Sequence, residues 1–429
     1  VAAEPSSVPA VARSAPAPSY AAVLRIPGAR RAFGAALVGR LSYGMVALSL
    51  LLAVKAGTGS YAVAGTVMAL FGATSVFLSP ARAALVDRYG PRRALPPMVA
   101  VYATLLVTIA VATWRPGVSG PWLGIAVAAA GACTPPVGPV MRALWSELAV
   151  DRELLQRAYS LDGVAEEILF AFGPLLVGVL VGVAPAAAGV AVSAGLITVG
   201  TLALVSSPAV GRSAARAARP VAHEAAAAPE PPRTGLWRAV VAAAGVGLAL
   251  GAVDLLAVAF ADERGRSAVV AWILAALSIG SAVGGLAHGA VSWRIPADRR
   301  LPLLALGLGL SLAAAGLSPN LYVLAAAAAV TGLFVAPAIT TAYLLADACA
   351  TANTRTRVGA WVNTALNAGA SGGTAATGLL IDRAPLPLVF AAAGLPALAA
   401  AASTGIRPGR APRPPGPAAA AGKAPTVTS

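Results

Sequence analysis

The sequence predicts an all-α polytopic membrane protein with twelve transmembrane helices in two pseudo-symmetric bundles of six. Three observations lead there. First, 58% of the 429 residues are hydrophobic, only 11% are charged, and the mean hydropathy is +0.79, a charged share far below that of a soluble domain. Second, the apolar residues fall into runs long enough to cross a bilayer. Third, the cations fall between those runs on alternate sides.

Taken in order, the runs lie near 32–54, 62–84, 94–113, 122–143, 161–183, 186–206, 237–260, 268–290, 301–317, 320–345, 358–381 and 386–404. The ninth is the weakest, being short and interrupted by glycine. With the N-terminus placed in the cytoplasm, roughly 25 cations fall on the inside and roughly 5 (Lys55, Arg115, Arg264, Arg266, Arg383) outside. Both termini are then cytoplasmic, and the protein is expected in a plasma or inner membrane. The formal charge of +15 becomes mostly a marker of sidedness, with attraction to anionic lipid as a by-product. A nucleic-acid partner is not expected.

Five regions follow: a disordered N-terminal tail over 1–30, a first bundle over 31–206, a linker over 207–236, a second bundle over 237–404, and a disordered tail over 405–429. The first twenty residues are rich in Pro, Ala and Ser and lack an apolar core, unlike a signal peptide. The linker SPAVGRSAARAARPVAHEAAAAPEPPRTGL divides the runs six and six. The halves echo one another at an offset near 200: GACTPP (Gly131, Pro136) recurs as GLFVAP (Gly332, Pro337), and FGPLLVG (Gly173, Gly178) as GGTAATG (Gly373, Gly378). Duplication of one six-helix unit explains the shared offset.

Between the second and third runs stands LVDRYGPRR, residues 85–93. Its Asp87, Arg88, Gly90, Arg92 and Arg93 match the GxxxDRxGRR pattern, with Ala83 where glycine is usual and Pro91 inside the turn. On these residues the chain resembles the major facilitator superfamily of secondary transporters. The resemblance implies that Asp87 meets the start of the eleventh helix, in the other half, where backbone amides favour an anion. Arg355 and Arg357 lie just before that helix. Such a contact forms only when the cytoplasmic side is closed, so it would act as a latch. Topology marking is the simpler reading of Arg92 and Arg93.

Within the family, Gly173, Pro174 and Gly178 look like part of the GxxxGPxxGG motif of the drug/proton antiporter branch, although Leu169 and Val177 replace two of its glycines. That branch's mid-helix arginine in span four is not matched; Arg142 lies toward the cytoplasmic end. A proline in mid-span removes one hydrogen bond, and small neighbours permit close helix approach. Gating is the role expected of these positions.

Ionisable residues inside the spans are site candidates, because burying them in lipid is costly. Arg40 lies roughly 13 Å into the first span at 1.5 Å per residue, and Glu166 and Glu167 some 10 Å into the fifth from the same side. One glutamate is expected to meet Arg40; the other points elsewhere, since adjacent helical residues diverge by about 100°. A fixed ion pair and a proton-exchanging pair both fit. Asp254 is the acid inside the second half's apolar runs, at about 25 Å from the inner face by helical rise. It is a candidate substrate or proton group, or else an external-gate or water-facing residue. His288 is expected at an interface, and Trp122, Trp145 and Trp361 as interfacial anchors.

No nucleotide-binding loop, metal-ligating histidine cluster or nucleophile with its base stands in the sequence. The chain is not expected to be an enzyme or to need a cofactor. The leading expectation is a monomeric, proton-coupled exporter of small hydrophobic or amphipathic organic compounds, its partners being that substrate, protons and the bilayer. A proton-coupled importer of a metabolite and a non-transporting scaffold or sensor are the alternatives.

Overall fold

The computed structural model describes residues 19–217, 233–266 and 269–404, and regular structure among them is helical. The elements are α1 (Tyr20–Arg25), α2 (Ala29–Thr58), α3 (Tyr61–Phe77), α4 (Ser79–Tyr89), α5 (Pro91–Ala112), α6 (Gly120–Cys133), α7 (Val137–Leu148), α8 (Arg152–Val181), α9 (Ala187–Val205), α10 (Pro208–Ala217), α11 (Arg233–Asp262), α12 (Val270–Ala290), α13 (Ala297–Ala315), α14 (Leu321–Asp347), α15 (Arg355–Ile381) and α16 (Leu386–Thr404). The chain runs up and down, and the face at which α2 begins is called proximal below.

Local chemistry sets the ends. Gly59, at φ 72°, stops α2, and the Ser60 side chain caps α3. Asp151 and Asn320 do the same for α8 and α14, each satisfying amides that a helix start leaves without partners. Gly90, at φ 77°, closes α4 and passes the chain to Pro91 at the head of α5.

Among the described residues, nine stretches are long and apolar enough to cross a membrane, with α6 and α7 counted together as Gly120–Leu148. The pair α3 and α4, bent by 41°, makes a tenth. The remaining two of the twelve expected spans, α13 and α15, are helices of 19 and 27 residues. Asp298, Arg299 and Arg300 open α13, and α15 is rich in Asn, Ser, Thr and Gly, so both fall short on apolarity. Two spans are broken where one helix was expected: the second at Leu78, and the fourth at Thr134–Pro135–Pro136, where two prolines interrupt the bonding. The echo position Pro337 lies within an unbroken α14.

Residues 20–25, inside the segment expected to be a disordered tail, form α1, capped by Ser19. The linker region begins as α10 and its last four residues, 233–236, already belong to α11; residues 218–232, like 1–18 and the segment from 405 onward, lie outside the described residues.

The repeat is visible in how the helices touch. A Cβ at Gly131 would collide with α3, and one at Gly332 with the matching helix α12; Gly173 abuts Gly44 of α2 as Gly373 abuts Leu248 of α11. Such small-residue contacts let helices approach closely where lipid offers no hydrophobic drive. One core joins α2–α9 and continues into the proximal parts of α11, α14 and α15 through Ala239, Tyr343 and Val358. A second core lies within α11–α16.

Candidate functional site

The first half buries four charges between α2, α7 and α8. Arg40 of α2 reaches Asp162 at 2.7 Å and Glu166 at 2.8 Å. Arg142 of α7 pairs with Asp162 at 3.1 Å and also with Glu166. Asp162 and Glu166 stand four residues apart on α8 and so share a face. The two guanidiniums and two carboxylates cancel, which is what makes their burial tolerable. Asp162 is 0% exposed, while Glu166, at 24%, is the member open to water.

The backbone makes room for this quartet. The contact of Gly44 with Gly173 lets α2 and α8 touch, and Gly138 leaves space above Arg142, Glu166 and Arg40. Tyr43 donates to the carbonyl of Pro135 in the span-four break. Arg82, one of the roughly 25 cations counted on the inside, is buried and staples both broken spans: it donates to Gly131 O at 2.9 Å and Ala132 O at 3.0 Å, and to Ser75 O at 2.5 Å.

The quartet extends to the second half. Arg142 donates to Tyr343 Oη at 2.9 Å and lies 4.1 Å from that ring's centroid. Tyr343 Oη in turn donates to Asn363 Oδ1 at 3.5 Å. Thus Arg142, read from sequence as a residue near the span's end, is buried in a bridge between the halves. Glu167 turns away from the quartet, and its Oε1 accepts from Ser281 Oγ of α12 at 2.5 Å. Its Oε2 is buried with no hydrogen-bond partner. Asp254 is exposed on α11 and has no ion pair among the described residues.

At the proximal face Asp87 accepts from the amides of Thr356 at 3.0 Å and Arg357 at 2.8 Å, the first turn of α15. Backbone amides, and no ion pair with Arg355 or Arg357, hold this carboxylate. Arg88 lies over the ring of Tyr89, Arg92 donates to Val205 O at 3.2 Å, and Arg93 is exposed. Gly178 and Pro174 are exposed, within an uninterrupted α8.

The family model described as Major Facilitator Superfamily matches residues 32–265 and 239–429. The chain belongs to the major facilitator superfamily. It is therefore a multi-pass secondary transporter and not an enzyme. Among solved members of the fold, the human organic anion transporter MFSD10 (TETRAN) superposes with a TM-score of 0.67 at 15% identity, over 87% of this chain and 99% of that one. A bacterial homologue of the iron transporter ferroportin, in an outward-facing state, gives 0.69 at 14%, over 87% and 98%. The E. coli fucose:proton symporter FucP gives 0.57 at 15%, over 89% and 99%. No curated protein sequence matches the chain.

Two expectations need correction within this superfamily member. Trp145, expected as an interfacial anchor, is fully buried and meets Phe33 edge-on at 5.5 Å. His288 is likewise buried, its Nε2 3.2 Å from Thr341 Oγ1 and 3.4 Å from Arg300 Nη1. Sequence reasoning missed Asp162 and Arg82. The spacing of Asp162 to Glu166 was the available signal for the first; the second pairs only with backbone oxygens, which no side-chain motif announces.

Proposed function

We propose that this transporter is a proton-coupled exporter of small hydrophobic or amphipathic organic compounds, of the drug/proton antiporter kind. The observation that carries the reading is Glu167, a carboxyl group at the seam between the halves that touches Ser281 across it and pairs with no cation among the described residues. Burying an unpaired charge costs far more than burying a neutral acid. A group so placed favours carrying a proton while the seam is closed and releasing it when the halves part.

In this reading the moving halves are residues 31–206 and 237–404, joined by the linker over 207–236, with the proximal face and both termini in the cytoplasm. Arg40, Arg142, Asp162 and Glu166 hold the first half together, and Asp87 latches it to α15. Asp254 is a second proton or substrate group, reached from the distal side. Apolar cargo is favoured by the scarcity of polar and aromatic side chains on the spans that would line a central cavity. The solved neighbours, an organic anion transporter, a homologue of an iron transporter and a fucose:proton symporter, share no one class of cargo.

The test uses inverted vesicles and a lipophilic fluorescent amine. Acidifying the lumen should drive its accumulation, and Glu167→Gln should abolish that response to the proton gradient while leaving gradient-independent exchange of the dye. Unchanged proton-driven accumulation in Glu167→Gln would remove Glu167 from the mechanism. Counterflow of a sugar, amino acid or organic acid in place of dye export would make the protein an importer.

A further inference from the structure

The last carbonyls of a helix have no partner within it. At the proximal end of α12 side chains from the other half take them, beside Trp293 of the same half, whose Nε1 donates to His288 O at 3.0 Å. Gln156 of α8 donates to His288 O at 2.7 Å and Val291 O at 3.2 Å, and Arg157 donates to Ala290 O at 3.0 Å. One turn further in, Tyr20 of α1 donates to Leu286 O at 2.6 Å. Gly289 leaves the space that the Tyr20 hydroxyl occupies, since a Cβ there would overlap it and Ser160. Gln156 is itself fixed from the second half, its Oε1 accepting from Arg300 Nη1 at 2.9 Å. Both Gln156 and Arg157 are buried.

We propose that α12 is capped in trans, and that Tyr20, Gln156 and Arg157 are positioning residues that set how often the proximal seam opens. The polarity is right for such a cap, because a helix carboxyl end attracts a cation such as Arg157, as the amino end of α15 attracts Asp87. When the halves part, these donors leave α12 together; Trp293 Nε1 stays on His288 O at 3.0 Å, and water must replace the others. Tyr20 carries the dependence to α1, which lies outside the spans and seats Val23 in the first half's core, so α1 moves with that half and Tyr20 leaves Leu286 O when the seam opens. The inference rests on the two-half fold and on neither the cargo nor the proton assignment.

The test measures seam opening directly in the full chain in proteoliposomes, with no substrate and no gradient. Cys133 and Cys349 are replaced by serine, and the reporter is the thiol of Val358→Cys, on α15 in the core shared with the first half. Its labelling rate with N-ethylmaleimide follows the open fraction. Tyr20→Phe should raise that rate about fivefold, one net hydrogen bond, and Gln156→Met about tenfold or more, two such bonds. Arg157→Lys keeps charge and donor and should stay within about twofold of the parent. Unchanged rates in Tyr20→Phe and Gln156→Met overturn the proposal. So does faster labelling confined to Ser160→Cys beside Tyr20, which would mean that the arm detaches while the seam stays shut. Where Gln156→Met fails to fold, Tyr20→Phe decides alone, because it removes a single hydroxyl and leaves both cores as they are.

Discussion

Replacing Asp87 with asparagine removes the charge from the contact with α15 and little else. The carboxylate accepts two amides, at 3.0 and 2.8 Å. Asparagine offers one carbonyl oxygen, so one amide loses its acceptor and faces an NH₂ group. Hydrogen bonds to a charged acceptor contribute about 1.5–3 kcal/mol each, and the helix dipole adds about 0.3–1 kcal/mol at a partly exposed site. Solvent reaches the latch, so about 2 kcal/mol is a fair net loss, equivalent to roughly 30-fold in the closed-to-open ratio. Initial rates of transport in proteoliposomes should fall, because a carrier that cannot stay closed on one side spends less time receptive on the other. Amounts of inserted protein and its melting temperature should stay near those of the parent, since Asp87 touches neither core. Full turnover in Asp87→Asn would refute the latch and reduce LVDRYGPRR to a marker of sidedness.

Two further changes separate structure from mechanism. Asp162→Ala should leave Arg40 and Arg142 under-compensated in a site that is 0% exposed on the Asp162 side, costing about 3–5 kcal/mol; size-exclusion profiles in detergent should show loss of the folded monomer, and a normal profile would mean that the quartet is dispensable. Gly173→Val places a branched side chain against the backbone of Gly44, so α2 and α8 must separate; thermal stability should drop by several degrees, whereas Gly178→Val, in open space, should leave it unchanged.

The spans were legible because lipid imposes a rule that sequence reports directly: runs of apolar residues of the right length, with cations between them on alternate sides. The breaks were only half legible. Pro135 and Pro136 announce the one in span four, and Pro80, at the head of α4, marks the one at Leu78 by leaving Val76 O without its helical donor; what no motif shows is Arg82 reaching carbonyls 49 and 50 residues away to brace it. In the site, Glu166 and Arg40 were visible as charges in apolar surroundings. Asp162 was not, because SLDG near the start of a span reads as an interface, and only the packed helix shows that it lies beneath Glu166. The pairing of Gln156 and Tyr20 with backbone oxygens was beyond reach, since every residue carries such oxygens and the choice among them is made by packing.

The quartet also bears on membrane voltage. Arg40, Arg142, Asp162 and Glu166 sum to zero within a few ångströms and ride on three helices of one half. When that half rocks, the field does work of opposite sign on its paired charges, and almost none remains. A full unit charge moved through the membrane is worth about 2.3 kcal/mol per 100 mV. If Glu167 and Asp254 exchange protons as proposed, their charge changes in the cycle and couples it to that supply, so the sensitivity of transport to voltage would report on those two residues and be nearly blind to the four paired charges of the first half.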